Sequence, residues 1–250
     1  MNPNEKVKVH LFIPCYIDQF YPQVAIATLQ LLEKLGCTVV VPLQQTCCGQ
    51  PMANSGFAKW NNSCDANFIQ NFKDAEYIVA PSGSCVLHIK EHLHSNKSPK
   101  EATAIQSRIF ELTEFLTDIL KVKQLEANFP HKVGLHQSCH GQRGLHLSAM
   151  SELVVPAFSK PVQLLQLVNG LELIEPARKD ECCGFGGTFC VIEEAVSVKM
   201  GKDRIKEHEA NEVAYITASD MSCLMHLEGL LRREKSNIKV IHFAEILNHE

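Results

Sequence analysis

Tyr77-Ile-Val-Ala-Pro-Ser-Gly-Ser-Cys85 and Tyr215-Ile-Thr-Ala-Ser-Asp-Met-Ser-Cys223 follow one plan: an apolar, β-branched run, a short turn, and a serine before a cysteine. A short apolar run closed by a turn reads as a strand buried on both faces. The cysteine then opens a helix, with Ser84 and Ser222 as the expected N-caps. The same punctuation recurs on either side. Strands are expected over residues 7–14, 38–42 and 77–81, then over 133–136, 171–175, 215–218 and 240–243. Helical periodicity fills residues 23–35, stopping at Gly36, and residues 101–120 and 195–208. Such alternation implies parallel sheets covered by helices on both faces. The expected fold class is therefore α/β, in two pseudo-symmetric halves, each a small parallel sheet flanked by helices with cysteines at the strand C-terminal ends. Phe129-Pro130 interrupts the pattern, which assigns residues 1–128 to the first half and 129–250 to the second.

The duplication is sharpest in the cysteines. Eight of the eleven fall into two ordered sets, Cys15, Cys47, Cys48, Cys85 and Cys139, Cys182, Cys183, Cys223. In each set the adjacent pair is followed by glycine, Gly49 or Gly184. Each cysteine follows the end of an expected strand, directly or through a loop, and such strand ends converge on one crevice in an open parallel sheet. Thiols far apart in sequence are thereby expected to meet. Thiolate sulfur prefers soft metals, so the two sets point to iron–sulfur clusters or zinc. Helix N-terminal amides beside these cysteines would favour the thiolate and donate hydrogen bonds to cluster sulfur.

Composition narrows the partners. With 45% hydrophobic and 21% charged residues the chain reads as globular. A net charge of −4 with no long basic run gives no reason to expect nucleic acid or an anionic membrane surface. Residues 1–8 are polar and run into a short apolar stretch ending at Pro14, which is not the pattern of a signal peptide. No apolar run approaches the roughly 20 residues of a transmembrane segment. Eleven cysteines in such a chain are expected in a reducing cytoplasm, where paired cysteines signal metal or redox chemistry more often than disulfides.

The segments IPCYIDQFYPQVAIATLQLLEKLG, QQTCCGQPMANSGF, APSGSCVLHI, HQSCHGQRGL, ECCGFGGTFCV, SDMSCLMHLEGLLRR and HFAEIL occur in this order. Together they resemble, nearly end to end, the CCG-domain (cysteine-rich domain) iron–sulfur proteins of the LutA/YkgE family. The resemblance implies a cytoplasmic, metal-binding oxidoreductase subunit, not active alone. Such a subunit works with other subunits of a lactate-utilisation complex that oxidises L-lactate to pyruvate, and it performs electron transfer through an iron–sulfur centre. Related modules occur in heterodisulfide reductase and in the iron–sulfur subunit of glycolate oxidase. In the heterodisulfide reductase relative each module ends in Cys-x-x-Cys, and five thiolates hold a non-cubane [4Fe-4S] cluster. Here the fifth position is His88 in the first half and His226 in the second. Four cysteines per set suit a regular [4Fe-4S] cubane at least as well, at one or two clusters per chain.

Competing readings stand beside this one. Zinc would also accept four thiolates, but adjacent Cys47-Cys48 and Cys182-Cys183 lack the two-residue gap of a zinc knuckle. A zinc-bound, non-enzymatic assembly subunit and a heterodisulfide-type thiol redox subunit are the alternative functions. His88 and His226 lie one helical turn after Cys85 and Cys223, where hydrogen bonding to cluster sulfur is favoured over direct ligation. His136 and His140 flank Cys139 and are candidates to move protons. Cys190 is a spare ligand, a redox-sensitive thiol or a simple substitution. Gly186 and Gly187, with Gly184, suggest a dinucleotide loop only weakly, because cysteines crowd the same loop and glycine also lets backbone approach a cluster. Cys37 and Cys64 have no counterpart in the other half and read as packing residues.

Overall fold

The computed structural model describes residues 6–250, and the start of the polar N-terminal stretch lies outside the described residues. Strands β1 (Lys8–Leu11), β2 (Thr38–Val40), β3 (Tyr77–Ala80) and β4 (Ile109–Glu111) form one sheet in the order β2-β1-β3-β4. Strands β5 (Lys132–Leu135), β6 (Glu172–Ile174), β7 (Tyr215–Ala218) and β8 (Lys239–His242) form a second in the order β6-β5-β7-β8. All pairings are parallel and the registers correspond. Val9 lies opposite Val39 and Tyr77, as Val133 lies opposite Leu173 and Tyr215. The α/β reading with two similar halves therefore holds.

Parallel neighbours need crossover connections, and helices supply them. In the first half these are α1 (Cys15–Phe20), α2 (Pro22–Lys34), α3 (Gln50–Asn54), α4 (Asn62–Phe72), α5 (Gly83–His92), α6 (Pro99–Arg108) and α7 (Leu112–Glu114). In the second they are α8 (Lys160–Leu165), α9 (Phe189–Ile192), α10 (Glu194–Ala210), α11 (Met221–Glu234) and α12 (Phe243–Leu247). Pro22 opens α2, where its missing N–H has no intrahelical partner to lose, and the helix stops before Gly36 at φ +86°.

Two local expectations are corrected. Residues 101–120 do not form one helix: α6 ends at Arg108, β4 pairs Ile109 and Phe110 with Ile78 and Val79, and α7 runs into a π-turn over Phe115–Ile119. Ile105, Ile109, Leu112, Phe115 and Leu116 are all buried, so their spacing imitates one helical face while serving three different structures. The N-caps are Ser82 and Asp220, two residues earlier than expected, because the chain turns at once after β3 and β7. Cys85 and Cys223 therefore sit in the first turn rather than at its opening.

The two sheets share a core. Val9, Leu11, Val79 and Phe115 of the first half cluster with Val133, Leu135, Leu165 and Phe243 of the second. Ile17 and Val24 of the first half join the cluster of Leu224, Leu227 and Leu231, while Leu145 and Leu147 of the second join that of Phe72, Ile78 and Ile89. Apolar burial at about 25 cal/mol per Å² is the main term holding such an arrangement together, and here it acts between the halves as well as within them. No helix among the described residues is long and apolar enough to cross a membrane.

Candidate metal centre

Strand order decides where ligands gather. In each sheet the chain leaves the first strand for one neighbour and later returns to its other side, so a crevice opens beyond the carboxyl ends of β1 and β3, and of β5 and β7. Cys15 opens α1 immediately after β1, and Cys85 lies in the first turn of α5 after β3. Cys139 caps a π-turn over His140–Gly144 after β5, and Cys223 lies in the first turn of α11 after β7. The Cys-Cys-Gly loops after β2 and β6 complete each set.

The thiols form two matching chains. Cys15 Sγ lies 3.6 Å from Cys47 Sγ, Cys47 reaches Cys48, and Cys48 reaches Cys85. Cys182 likewise reaches Cys139 and Cys183, and Cys183 reaches Cys223. Hydrogen bonds from Cys15 and Cys48 push Cys47 far below the usual thiol range, and those from Cys139 and Cys183 do the same to Cys182. The N–H of Gly49 donates to Cys47 Sγ at 3.4 Å, and that of Gly184 to Cys182 Sγ at 3.3 Å. The donating thiols Cys15, Cys48, Cys139 and Cys183 are pushed upward, first by those same hydrogen bonds and then by burial. In each set one sulfur, Cys47 or Cys182, accepts hydrogen bonds from its neighbours and from a glycine N–H. This donor chemistry fits a soft metal or an iron–sulfur cluster.

Both sets open onto one cavity of about 730 Å³ between the halves. Cys15, Cys48, Cys85, Cys139, Cys182, Cys183 and Cys223 line it, with Cys47 Sγ 3.6 Å from Cys15 Sγ. Beside the sulfurs, apolar side chains of Tyr16, Phe185, Phe189, Val191 and Ile192 share the lining with polar ones, among them Gln50, Asn54, Ser84 and Glu193. Tyr16, Phe185, Phe189 and Val191 fall inside the cysteine motifs, but only the fold shows that they line the same cavity as the sulfurs.

The other candidates separate. His140 lines the sulfur cavity and a neighbouring one of about 520 Å³, which also holds His88, His92 and His94. Burial holds His88 near pKa 4, so it is neutral at pH 7. His226 is turned to α10, its Nε2 3.4 Å from the carbonyl oxygen of Ser197. Cys190 donates to the Gly187 carbonyl at 3.0 Å and does not line the cavity. Gly186 and Gly187 do line it, both at positive φ. Cys37 lies in the shared core. His136 is placed with metal donors: one ring nitrogen and the sulfurs of Cys183 and Cys223 lie within 4.8 Å of one another.

The sequence signature of the family described as "Cysteine-rich domain" (CCG) matches this chain twice, over residues 9–90 and 133–228. The chain is 39% identical over 247 residues to "Lactate utilization protein A" of Geobacillus thermodenitrificans, covering 97% of this chain and 99% of that one. It is 40% identical to the protein of the same name from Anoxybacillus flavithermus, covering 97% and 100%. Among solved structures, a hypothetical protein from Helicobacter pylori aligns over 98% of this chain with a TM-score of 0.61 at 13% identity. This chain spans about half (49%) of that one, and the likeness shows the fold alone.

Proposed function

The chain belongs to the cysteine-rich CCG-domain family, alongside the proteins called lactate utilization protein A, and from that premise we propose that it is the iron–sulfur electron-transfer subunit of a cytoplasmic, multi-subunit system that oxidises L-lactate to pyruvate. The observation that carries this reading is the convergence of two sulfur sets, one from each half, on a single cavity. Cys15, Cys47, Cys48 and Cys85 would hold one cluster, and Cys139, Cys182, Cys183 and Cys223 the other, with residues 1–128 and 129–250 as the two modules. Bound there, a [4Fe-4S] cluster supplies one-electron acceptance and release.

Lactate oxidation releases two electrons and two protons, and the reading places that step on a partner subunit. This chain contributes shape and charge. The first-turn positions of Cys85 and Cys223 keep sulfur near helix amides, and the Gly49 and Gly184 N–H groups stabilise thiolate. Tyr16, Phe185, Phe189, Val191 and Ile192 give the cavity an apolar side next to the sulfurs.

The test is iron and acid-labile sulfide analysis of the full chain purified without oxygen. About four irons and four sulfides per filled set are expected. Cys48→Ser and Cys183→Ser should each remove the iron of one half only. Colourless protein holding stoichiometric zinc and no sulfide would overturn the reading.

The cavity's size supports one alternative. At about 730 Å³ it falls within the roughly 300–1,000 Å³ of small-molecule sites, which gives a disulfide substrate room beside the sulfurs. Heterodisulfide-type chemistry predicts an electron paramagnetic resonance spectrum that changes when disulfides are added.

A further inference from the structure

His136 is the first residue past β5, and its N–H donates to the Thr217 carbonyl. Phe12 holds the same place in the first half, just past β1, with its N–H donating to Val79. The two side chains meet different surroundings. Phe12 packs edge-to-face on Phe68 and Phe72 of α4, with ring centroids 4.9 and 5.8 Å away. His136 lies instead beside Arg204 and His208 of α10, and all three are at most 1% exposed. An apolar triad behind the first sulfur set is thus a polar triad behind the second.

Burying an imidazole needs a reason. Neither Nδ1 nor Nε2 of His136 has a hydrogen-bond partner, and a buried polar atom left unpaired costs about 1–3 kcal/mol. The first half shows that phenylalanine satisfies the fold at this position, so packing does not require a histidine. What lies within reach is sulfur: a His136 nitrogen, Cys183 Sγ and Cys223 Sγ fall within 4.8 Å of one another. Donors sharing one metal at bond lengths of about 2.0–2.3 Å stand slightly closer than this, a difference that a small side-chain rotation covers. Arg204 adds a positive charge close enough to act on Cys183, which offsets the negative charge of gathered thiolates.

We propose that His136 is a nitrogen ligand to the metal centre of the second half, alongside Cys139, Cys182, Cys183 and Cys223, and that the two halves hold chemically unequal centres. A neutral imidazole gives one lone pair to the metal, so no electron or proton is consumed. The first set has no equivalent donor, because Phe12 stands there. This inference rests on the chain being a metal carrier.

The test uses full-length protein labelled with ¹⁵N-histidine, purified without oxygen and reduced. Electron–nuclear double resonance should resolve a directly bound ¹⁵N. That coupling should vanish in His136→Phe, which installs the first half's own residue, and persist in His226→Gln. Iron-loaded protein with no bound nitrogen, or a coupling that survives in His136→Phe, would overturn the proposal. Absence of both iron and sulfide would instead count against the iron–sulfur reading, and a cobalt(II) titration then decides this one. The visible ligand-field bands of His136→Phe should shift towards those of an all-thiolate site, and spectra identical to wild type would sink the idea. Should His136→Phe fail to fold, His136→Gln replaces it, and the labelled wild-type spectrum needs no variant.

Discussion

Gly36 and Gly184 have almost the same backbone, with φ of +86° and +90°, but different neighbours. Around Gly36 a Cβ would meet nothing within 4 Å, whereas at Gly184 it would stand 2.6 Å from the Ser197 carbonyl oxygen. Gly36→Ala should therefore cost only the left-handed strain, about 1–2 kcal/mol. Gly184→Ala adds a collision with backbone, bringing the loss to about 3 kcal/mol or more. Urea denaturation of the metal-free proteins checks this, and equal losses would refute it. The sequence marks both Cys-Cys-Gly glycines as special, and their positive φ agrees. Why they are special is hidden in it, because the atoms that crowd them belong to Asn61 and Ser197 in other parts of the chain. His136 was legible as a candidate to move protons beside Cys139, not as a donor set against other cysteines. Its place against Cys183 and Cys223 depends on three strand ends meeting, which no spacing along the chain encodes.

Helices α7 and α12 begin alike. Glu111 ends β4 and accepts the N–H groups of Thr113 and Glu114, while His242 ends β8 and accepts that of Ala244 through Nδ1 at 3.1 Å. Burial pushes Glu111 up to about 8 and His242 down to about 4, so both caps are neutral at pH 7. The Glu111 cap is the reason the apolar spacing of residues 101–120 does not mark one helix. A capping box restarts the helix at Glu111 while the apolar spacing continues unbroken, so only backbone pairing reveals the strand. For His242 the folded pKa, about 4, lies below the ordinary 6.5 of the unfolded chain. The unfolded chain takes up the proton first, so stability is lost as pH falls through about 6.5 and goes on falling to about 4, by up to ~3 kcal/mol. His242→Asn keeps a capping acceptor without a titrating ring. It should be less stable than wild type near pH 7, with a gap that closes or reverses by pH 4. Parallel stability curves in urea across that range would sink the argument.

The halves also meet at a buried charge. Asp220, 1% exposed, stands at the N-cap position of α11 but makes no cap there. Its Oδ1 accepts from Ser82 Oγ at 2.9 Å, Ser84 Oγ at 2.8 Å and the Ser84 N–H at 3.1 Å, all across the interface, while Oδ2 accepts from Ser138 Oγ at 2.5 Å. Ser82 in turn accepts the N–H of Cys85 at 3.3 Å, so the carboxylate ties the two cysteine-bearing helices α5 and α11 to one another. The sequence reveals two similar halves but not this tie, since serine and aspartate before a helix already have a local explanation as caps. Asp220→Ala leaves four buried donors without their acceptor, and losing one partner of a buried charged network costs about 3–5 kcal/mol. Asp220→Asn keeps one acceptor oxygen and should lose roughly half as much. Because α5 and α11 each carry a cysteine of a different set, Asp220→Ala should also lower the metal bound by both halves together, unlike Cys48→Ser or Cys183→Ser. Denaturation of the metal-free chain measures the first effect and iron analysis after anaerobic purification the second. An Asp220→Ala protein that keeps wild-type stability, or loses metal from one set alone, would show that the interface is held by its shared apolar core without this charge.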